Sequence, residues 1–531
     1  MPISTRLVAL SAAAVSVAVG AVLLSNGIFR SFSQSSKTSA SANADIVTAQ
    51  VSAQGAPQPL SPDLMCFNVN SVQIASWHEP EFLSAANQLN PKVLRIPGGE
   101  VANYWDWQRG GIYSDQSGKL QSLPDGLPEY MRYDARDYTG SQLADYQAGL
   151  YATDSKALFV LNMLTSDLGE QIEALSSAAK AGIEIKYIEL GNEYFFGIPN
   201  YAHKFPTPES YGEEAKVWIQ YLRDIFPGVE IAVFGVVPSA ESSHRESQWN
   251  QALLKTALPE ADAITLHIYS RPGLDPTGFS TQGYPAFDEH DFSTVLSQPF
   301  EHWKQLRDRP AFKLIPADKE IWITEFNLIE DIFGDNASRL PRVMGSWGHG
   351  LYALSMNLMF LEDQRVTLTC NHDLVENYRF GAILPHEDSF QVAPERTFPV
   401  VPMSLSASGR ALQMVANATD NMNSAQRLDF SDQPAKSQSH STDAPRLYGW
   451  QFESNAANDS RALVLNLSAQ IVELDVSEMM SSNAHYQQIS ADPRTLVTGH
   501  DELKEAAGAV QGAIALPPHS VTQISNRAAT E

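Results

Sequence analysis

Two glutamates, Glu193 and Glu325, carry the clearest chemical signal in the sequence. Glu193 closes the run Leu190-Gly191-Asn192-Glu193, and Glu325 closes the run Ile323-Thr324-Glu325. If both runs are strands of one parallel barrel, their C-terminal ends meet at the same face, where such barrels carry their catalytic groups. A protonated and an ionised carboxylate that face each other form the arrangement that cleaves a glycosidic bond. We expect their pKa values to separate, because two like charges at short range do not both ionise.

Eight β-rich runs alternate with helical segments from residue 65 to about 415, and several runs are continuously apolar, as parallel strands covered on both faces are. The runs are 65–71, 92–98, 157–163, 184–191, 229–236, 262–268, 319–325 and 365–371. Helical periodicity is clearest at 79–89, 167–182, 209–226 and 292–307. The alternation predicts an α/β fold of the (β/α)8 TIM-barrel type. An open doubly wound sheet is the alternative, but no Gly-rich phosphate turn follows the first run.

Two long inserts follow the second and sixth runs, at 99–139 and 269–291. Both are rich in Gly, Pro, Asp, Ser and aromatic residues. In a barrel they emerge at the C-terminal face of the strands, where long loops are often functional. The apolar stretch 344–361 has the length of a membrane span, but it carries His349 and Asn357 and is interrupted by three glycines. We therefore predict that it is a buried barrel helix.

The helical periodicity ends near residue 416. A polar linker at 431–445 then precedes several short β-like segments. These lie at 446–453, 461–467, 471–476 and 519–525. They predict a small C-terminal antiparallel β-sandwich. We assign 45–420 to the catalytic barrel and 421–531 to the sandwich. Residues 45–53 also read as a strand, which would pair with the sandwich from the other end of the chain.

The first 44 residues resemble an export segment. Arg6 precedes an uncharged apolar run, Leu7 to Leu24, which suits a long signal-peptide core or an uncleaved membrane anchor. A Ser/Ala-rich linker at 31–44 follows and contains a small-residue cleavage motif, Ala42-Asn43-Ala44. We therefore expect an exported protein, either periplasmic, extracellular or anchored in a membrane and facing outward.

The charge balance is acidic, with 36 Lys+Arg against 61 Asp+Glu and a net charge of −25. This excludes nucleic-acid binding as the expected function, which needs dense Lys and Arg, and disfavours long polyanionic substrates unless a local basic groove exists. The two cysteines, Cys66 and Cys370, are too few for a structural zinc site. We expect two separate buried thiols; a single bridge between the neighbouring first and last strands is the alternative.

The Asn192-Glu193 pair and Glu325 resemble the signature of glycoside hydrolase clan A, whose members are retaining enzymes on (β/α)8 barrels. The resemblance implies that Glu193 is the acid/base, that Asn192 binds the sugar 2-hydroxyl and that Glu325 is the nucleophile. No metal or organic cofactor is implied. Glu189, four residues before Glu193, is expected to be structural or solvent-facing.

A second resemblance narrows the family. The run Leu94-Arg95-Ile96-Pro97-Gly98-Gly99, followed by Asn103 to Trp107, is similar to the L-R-x-P-G-G motif and Trp-containing loop of family 51 α-L-arabinofuranosidases. It implies that Arg95 hydrogen-bonds the nucleophile. His267-Ile268-Tyr269 resembles the clan's His-x-Tyr, so that Tyr269 would hold Glu325 and His267 would line the subsite. The further candidates for substrate binding are Asn103 and Trp105, with Tyr104 and the aromatic run 194–196 as stacking groups.

The resemblance implies double displacement on plant-like or microbial polysaccharides or oligosaccharides. Heparanase-like family 79 shares the two-glutamate arrangement, and Thr324-Glu325-Phe326 departs from the Asp-Glu-Trp of family 51, so a β-glucuronidase or an endo-glycanase remains an alternative. A uronic acid substrate would need a cation, for which Arg109, Arg132 and Arg136 are the candidates. A non-catalytic carbohydrate-binding surface protein is the alternative from another class. His372-Asp373 is expected to be structural or sugar-binding.

Overall fold

The computed structural model describes most of the chain from residue 46 to 526. The described ranges are 46–72, 76–112, 141–238, 242–270, 289–329, 343–375, 380–385, 389–393, 396–434, 444–454, 459–480 and 483–526. The predicted export segment, Arg132, Arg136 and most of both predicted inserts lie outside these residues. So does the middle of the predicted linker.

Eight parallel strands close into a barrel, which confirms the predicted fold class. They are β2 (Met65–Asn68), β3 (Val93–Ile96), β6 (Lys156–Val160), β7 (Tyr187–Leu190), β8 (Glu230–Phe234), β9 (Ala263–Ser270), β10 (Glu320–Leu328) and β11 (Val366–His372). Around the barrel the order is β10-β11-β2-β3-β6-β7-β8-β9, so each strand neighbours the next barrel strand in sequence. Most of their residues are buried, as continuous apolar runs require in a barrel covered by helices.

Helices cover the outside of the barrel. They are α1 (Pro80–Gln88), α2 (Leu143–Ala152), α3 (Leu168–Lys180), α4 (Pro199–Lys204), α5 (Pro208–Ile225), α6 (His244–Lys255), α7 (Glu289–Asp308), α8 (Pro310–Lys313), α9 (Trp347–Phe360) and α10 (Ala407–Thr419). Local signals fix several of the starts: the side chains of Asp167, Thr207 and Ser243 each accept a bond from the backbone N–H three residues on.

The C-terminal unit is a set of antiparallel strands, as predicted, but with more strands than the sequence indicated. It comprises β14 (Ser424–Phe430), β15 (Leu447–Ser454), β16 (Asp459–Asn466), β17 (Val472–Asp475), β18 (His485–Ser490), β19 (Lys504–Ala509), β20 (Ala513–Leu516) and β21 (Ser520–Ser525). Four of these, β14, β18, β19 and β20, are missing from the prediction. Their sequences are rich in Gln, Ser and Ala, which have little β-propensity.

One strand from the start of the described chain lies within this C-terminal unit. β1 (Val47–Pro59) pairs with β14 in antiparallel and with β17 in parallel fashion. Two short hairpins complete the strands: β4 (Trp105–Asp106) with β5 (Gly111–Ile112), and β12 (Ser389–Ala393) with β13 (Arg396–Pro399). A 3-10 helix (Glu100–Tyr104) connects β3 to β4.

The expectation of two separate thiols is wrong: Cys66 and Cys370 form a disulfide. The two residues are direct partners in the pairing of β2 with β11, which are the first and last strands of the barrel. That adjacency brings together two cysteines 304 residues apart in sequence. The bridge therefore closes the barrel covalently where its two ends meet.

The apolar stretch at 344–361 is α9, and every residue of this helix is buried. It packs against α7 and α10, as expected of a barrel helix rather than a membrane span. Among the described residues, none of the helices has both the length and the apolar character needed to cross a membrane.

The sandwich contacts the barrel at the start of α9. The backbone N–H groups of Trp347 and Gly348 donate to the carbonyls of Thr495 and Pro493, each at 2.8 Å. Because the first N–H groups of a helix have no partner within it, the sandwich loop serves as the cap. One contact between the two units therefore lies near the C-terminal ends of the barrel strands, and others, such as Arg427 with Glu362, lie just past the opposite end of α9.

Candidate active site

Glu193 and Glu325 lie close together at the C-terminal end of the barrel. Glu193 follows β7, and Glu325 lies within β10. A carboxylate oxygen of each glutamate and a ring nitrogen of His267 all lie within 4.8 Å of one another. The side chain of Glu193 is 22% exposed and that of Glu325 is 7% exposed. Glu193 is thus the more accessible of the two carboxylates.

The strand that carries Glu325 does not end there, as the sequence suggested, but continues to Leu328. Its pairing with β9 shifts register between Ile323 and Glu325. Successive strand residues normally point to opposite faces, yet a bulge breaks that alternation. Here it lets Thr324 and Glu325 both reach the polar network inside the barrel.

The turn after β7 aims the acid/base candidate. Glu193 has a φ of 54°, a left-handed conformation that is unusual outside glycine and is often found at functional sites. Gly191 before it has a φ of 84°, and a Cβ there would lie 2.0 Å from the ring of Tyr194. Glycine is required at this position, because the buried Tyr194 ring occupies the space of any side chain.

Arg95, on β3, is the centre of the site and is fully buried. Its Nη1 donates to Glu325 Oε1 at 2.9 Å and to Asn68 Oδ1 at 2.7 Å. Its Nε donates to Glu189 Oε2 at 2.6 Å, and its Nη2 donates to Asn192 Oδ1 at 2.8 Å. The rigid guanidinium fork thereby fixes the positions of three strand ends at once.

Glu189 is not solvent-facing. It is fully buried on β7, where it accepts from Arg95 and from the hydroxyl of Thr324 at 2.9 Å. The structural role is therefore the one that the geometry supports. A charged residue inside the otherwise apolar run Tyr187-Ile188-Glu189-Leu190 is the sequence signal that points to the barrel interior.

Two side chains of β9 contact the catalytic candidates: His267 contacts both glutamates, and Tyr269 contacts Glu325. The hydroxyl of Tyr269 donates to Glu325 Oε2 at 2.5 Å. Nδ1 of His267 lies 2.9 Å from Glu193 Oε1 and 3.4 Å from Glu325 Oε2. Residues 267 and 269 share a face because strand side chains alternate. His267 thus bridges the two carboxylates, and Tyr269 holds the outer oxygen of Glu325.

The pKa of Glu325 is lowered. Burial by itself would raise it, but His267, His372, Arg95 and the Tyr269 hydroxyl lower the pKa to about 2. Burial also lowers the pKa of His267 to about 3, so this ring is neutral near pH 7. Arg95 is therefore the cation that keeps Glu325 ionised under those conditions.

The pKa of Glu193 moves in the opposite direction. Burial raises it well above the usual value, and the charges of Glu325 and Glu100 raise it further, whereas Arg95 lowers it. Glu193 therefore holds a proton more firmly than an ordinary carboxyl does. The pKa values of the two carboxyl groups are thus shifted in opposite directions, the separation that one acid and one carboxylate would need.

Asn103, in the 3-10 helix, has both ends of its side-chain amide engaged. Its Oδ1 accepts from the backbone N–H of Asn192 at 3.1 Å, and its Nδ2 donates to the carbonyl of Asn192 at 2.8 Å and to the hydroxyl of Tyr201 at 2.9 Å. The Tyr201 hydroxyl in turn donates to Glu100 Oε1 at 3.1 Å. This geometry supports a positioning role for Asn103, since it fixes the backbone just before Glu193.

The aromatic candidates for sugar stacking are mostly buried. Trp105 is 1% exposed and packs against Trp107 and Tyr146. Tyr104, Tyr194 and Phe195 are buried too, and Phe196 is half-buried. In this structure, these rings form the walls that support the loop and the turn around the site.

Sequence reasoning missed several members of the site. Asn68 accepts from Arg95, and its Nδ2 lies 2.7 Å from His372 Nδ1. Nδ1 of His372 is also 3.7 Å from Glu325 Oε2. His372, which was predicted to be structural or sugar-binding, therefore lies at the edge of the site. A polar residue at the end of a buried strand was the available signal for both Asn68 and His372.

Glu193, His267 and Glu325 are close enough together to hold a metal ion. Their surroundings favour an internal network instead. Arg95 already compensates the charge of Glu325, and Nδ1 of His267 already lies at hydrogen-bonding distance from Glu193.

No family model matches the chain, and no curated protein resembles it in sequence. Solved structures do resemble it. The α-L-arabinofuranosidase of Thermotoga maritima, in complex with arabinose, gives a TM-score of 0.63 at 14% sequence identity, over 90% of this chain and 99% of that one. The family 51 α-L-arabinofuranosidase of Bifidobacterium longum gives 0.64 at 15% identity, over 90% and 99%.

A 4-O-α-L-rhamnosyl-β-D-glucuronidase from Fusarium oxysporum gives a TM-score of 0.56 at 14% identity, over 90% of this chain and 100% of that one. These likenesses extend over both the barrel and the sandwich. The predicted resemblance to clan A glycoside hydrolases, family 51 foremost, is thereby confirmed at the level of the fold.

Proposed function

We propose that this chain is a retaining glycoside hydrolase of clan A, with Glu325 as nucleophile and Glu193 as acid/base. One observation carries the proposal: oxygens of the two carboxylates lie within 4.8 Å, and their pKa values are shifted in opposite directions. Retaining enzymes place the two carboxyl groups about 5–5.5 Å apart, whereas inverting enzymes leave about 6.5–9.5 Å for a water molecule. The spacing favours retention.

In the first step Glu325 attacks the anomeric carbon while Glu193 protonates the departing oxygen. Arg95 and Tyr269 each bind one oxygen of Glu325, which keeps the attacking group ionised and oriented. Burial and the adjacent negative charge keep the proton on Glu193 until the leaving group needs it.

In the second step a water molecule releases the sugar from Glu325. Once Glu325 carries the sugar its negative charge is gone, so one of the causes that raised the pKa of Glu193 is removed. Glu193 can then act as the base towards water. Asn192 contributes its Nδ2 donor to the sugar 2-hydroxyl, because its Oδ1 is already bound by Arg95.

The substrate that the sequence favours is an α-L-arabinofuranoside, on the strength of the L-R-x-P-G-G motif and the loop after it. The fold likeness to the Bifidobacterium longum enzyme supports this choice. A glucuronide is the second candidate, supported by the likeness to the Fusarium oxysporum enzyme. Of the cations named for a uronic acid, Arg109 pairs with Asp106 at 3.6 Å, and the other two lie outside the described residues.

The proposal includes export of the chain. The Cys66–Cys370 disulfide supports it, since such bridges persist mainly in oxidising compartments. Size comparison of the mature protein with the full-length translation product, in cell fractions, would test both export and cleavage. A product found reduced and in the cytoplasm would contradict this part.

The test of the activity is a panel of aryl glycosides: α-L-arabinofuranoside, and the β-glucuronide, β-xyloside, β-glucoside and β-galactoside. We expect one of them to be cleaved, and we expect Glu325→Gln to lower kcat by at least about 10³-fold with the fold retained. NMR of the first-formed sugar should reveal the anomer of the substrate. Activity that survives Glu325→Gln would refute the assignment. No cleavage of aryl glycosides or polysaccharides by the folded wild type would instead support a carbohydrate-binding protein without catalysis.

A further inference from the structure

A groove that does not include the two glutamates lies between the barrel and the sandwich, with a volume of about 1090 Å³. One wall is the first part of α7, including Phe292, Ser293 and Leu296. The opposite wall is formed by sandwich segments at 467–470 and 488–495. Junctions between domains are common places for ligand sites, and the volume lies slightly above their usual range of about 300–1,000 Å³.

The groove lies at the catalytic end of the barrel. α7 follows β9, and β9 carries His267 and Tyr269 towards its C-terminal end. The sandwich loop at 493–495 caps the first turn of α9, which follows the strand of Glu325. The groove and the two glutamates therefore lie towards the same end of the barrel.

Arg446 is the unusual residue of this groove. Among the described residues, its guanidinium donates from Nη2 to Ser293 Oγ over a long distance of 3.4 Å. Within the described part of the chain, no carboxylate forms an ion pair with it. Burial lowers the pKa of Arg446. A half-buried cation without a counter-charge is unfavourable, so an anionic ligand there would gain a charge-assisted hydrogen bond.

Within the described residues, none of the three acidic side chains of the groove forms an ion pair with Arg446. They are Asp492, bound to Arg494; Glu502, bound to Thr498; and Glu505, bound to Arg410. Lys504 on β19 adds a second, exposed cation at the same surface. The lining carries three basic side chains, Arg446, Arg494 and Lys504, against these three carboxylates, so it is less acidic than the protein as a whole, whose net charge is −25.

We propose that this groove is a distal binding site for an anionic stretch of a carbohydrate chain, whose carboxylate or sulfate group is bound by Arg446. The planar guanidinium offers parallel N–H donors that match either group. The apolar floor of Leu296, Leu467 and Pro517 suits the C–H face of a sugar ring. That the ligand is a sugar rests on the proposed function; that it is anionic rests on Arg446 alone.

The test measures binding by calorimetry with the full chain carrying Glu325→Gln, which prevents turnover. The probes are a hexamer of galacturonic acid, the same hexamer fully methyl-esterified, and a hexasaccharide that carries sulfate esters but no carboxylates. We expect at least one charged probe to bind about tenfold more tightly than the neutral ester. The stronger of the two charged probes identifies the group, carboxylate or sulfate.

Substitutions at the groove sharpen the test. Arg446→Gln should weaken binding of the charged probe at least about tenfold, and Arg446→Lys should restore part of it. Arg223→Gln, on α5, removes the same charge away from the groove and should leave binding unchanged. Thermal melting of each variant checks that the fold is retained.

Three results would overturn the inference: equal binding of the charged and neutral hexamers, unchanged binding in Arg446→Gln, or equally tight binding of a hexaglutamate peptide. The last result would exclude a sugar as the specific ligand. These measurements involve no hydrolysis, so failure of the aryl glycoside panel would count against the proposed enzyme and not against the groove.

Discussion

The barrel holds a buried ion cluster at each end, and the two clusters differ in their balance of charge. At the N-terminal end one carboxylate, Asp63, accepts from Lys156 at 2.6 and 2.7 Å, from Lys186 at 3.0 Å and from the Tyr187 hydroxyl at 2.5 Å. Both lysines are partly exposed. The anion is thus fully compensated, and its pKa is lowered: burial would raise it, but these partners outweigh that.

At the C-terminal end the balance is reversed. Three carboxylates, Glu189, Glu193 and Glu325, surround one cation, Arg95, while burial keeps His267 neutral near pH 7. Burial and the neighbouring negative charges raise the pKa of Glu193, so the protonated form of this carboxyl group is more favoured than in an ordinary glutamate. A compensated cluster stabilises a fold, whereas an under-compensated one produces the acid and the base that catalysis needs.

The largest loss of activity is expected from Glu193→Ala, which removes the proposed proton donor from the cluster around Arg95. For aryl glycosides with poor leaving groups, kcat/KM should fall about 10²–10⁴-fold, the range that general acid catalysis supplies. Substrates with very good leaving groups need little protonation and should lose far less in the first step. The measurement is a plot of log kcat/KM against leaving-group pKa for both proteins. An equal loss for all leaving groups would remove the acid role from Glu193.

The next largest loss of activity is expected from Arg95→Lys, which keeps the positive charge but loses the planar set of N–H donors of the guanidinium. Weaker bonds to Glu325 should raise the pKa of that carboxylate from about 2. The acidic limb of kcat/KM should then move to higher pH, and the rate should fall about 10²-fold because the nucleophile loses its orientation.

The lysine keeps the buried charge of Glu189 compensated, so the fold should survive; circular dichroism checks this. A pH profile that keeps the wild-type acidic limb would show that Arg95 does not hold Glu325 ionised.

The balanced cluster should respond in stability rather than in activity. Asp63→Asn keeps the shape and removes the charge that Lys156 and Lys186 share. We expect a loss of about 2 kcal/mol in the free energy of unfolding, as for hydrogen bonds to charged groups. At temperatures well below unfolding, the pH profile of kcat/KM should be unchanged.

The pH dependence of that loss has a definite sign. The pKa of Asp63 is lower in the folded state than its usual value. Its stabilising contribution is therefore present above about pH 4, the unfolded value, and is lost as the pH falls towards the folded one. Urea unfolding at several pH values should show wild type and Asp63→Asn converging in acid. A constant difference down to low pH would contradict the ion-pair origin of the stability.

The same contrast shows what the sequence could reveal. Apolar runs with glutamates at their ends predicted the barrel and the pair Glu193 and Glu325, because period and position are local properties. The compensating groups are not local. Asn68, Glu189 and Glu100 join the network only because the closed barrel brings distant strand ends together, and a single polar residue in a strand does not name its partner. For the same reason the Cys66–Cys370 bridge was only an alternative until the strand pairing was known.

The backbone conformation at the site could not be predicted from the sequence for a different reason. The bulge that places Thr324 and Glu325 on the same side depends on the pairing of β10 with β9, and no residue type in Ile323-Thr324-Glu325 signals it. Asn103 was predicted to bind substrate from its place in the loop after the L-R-x-P-G-G motif, yet its amide is used by the backbone of Asn192. Sequence pattern identifies which groups are available for chemistry, but tertiary packing decides which of them remain free for a ligand.

The smallest effect is expected from Glu100→Gln, which removes a charge near Glu193 without changing shape. Among the described residues, His267 lies 2.9 Å from Glu193, the charges of Glu325, Glu100 and Glu189 raise the pKa of Glu193, and Arg95 lowers it. Removing Glu100 should therefore lower the pKa of Glu193.

Because the first step needs Glu193 protonated, the basic limb of kcat/KM should move to lower pH by less than about one unit, with the plateau nearly unchanged. Tyr201→Phe removes the hydroxyl that donates to Glu100 but not the charge, so it should move the limb less. A limb that moves to higher pH, or moves as far in Tyr201→Phe, would show that Glu100 acts through position and not through its charge.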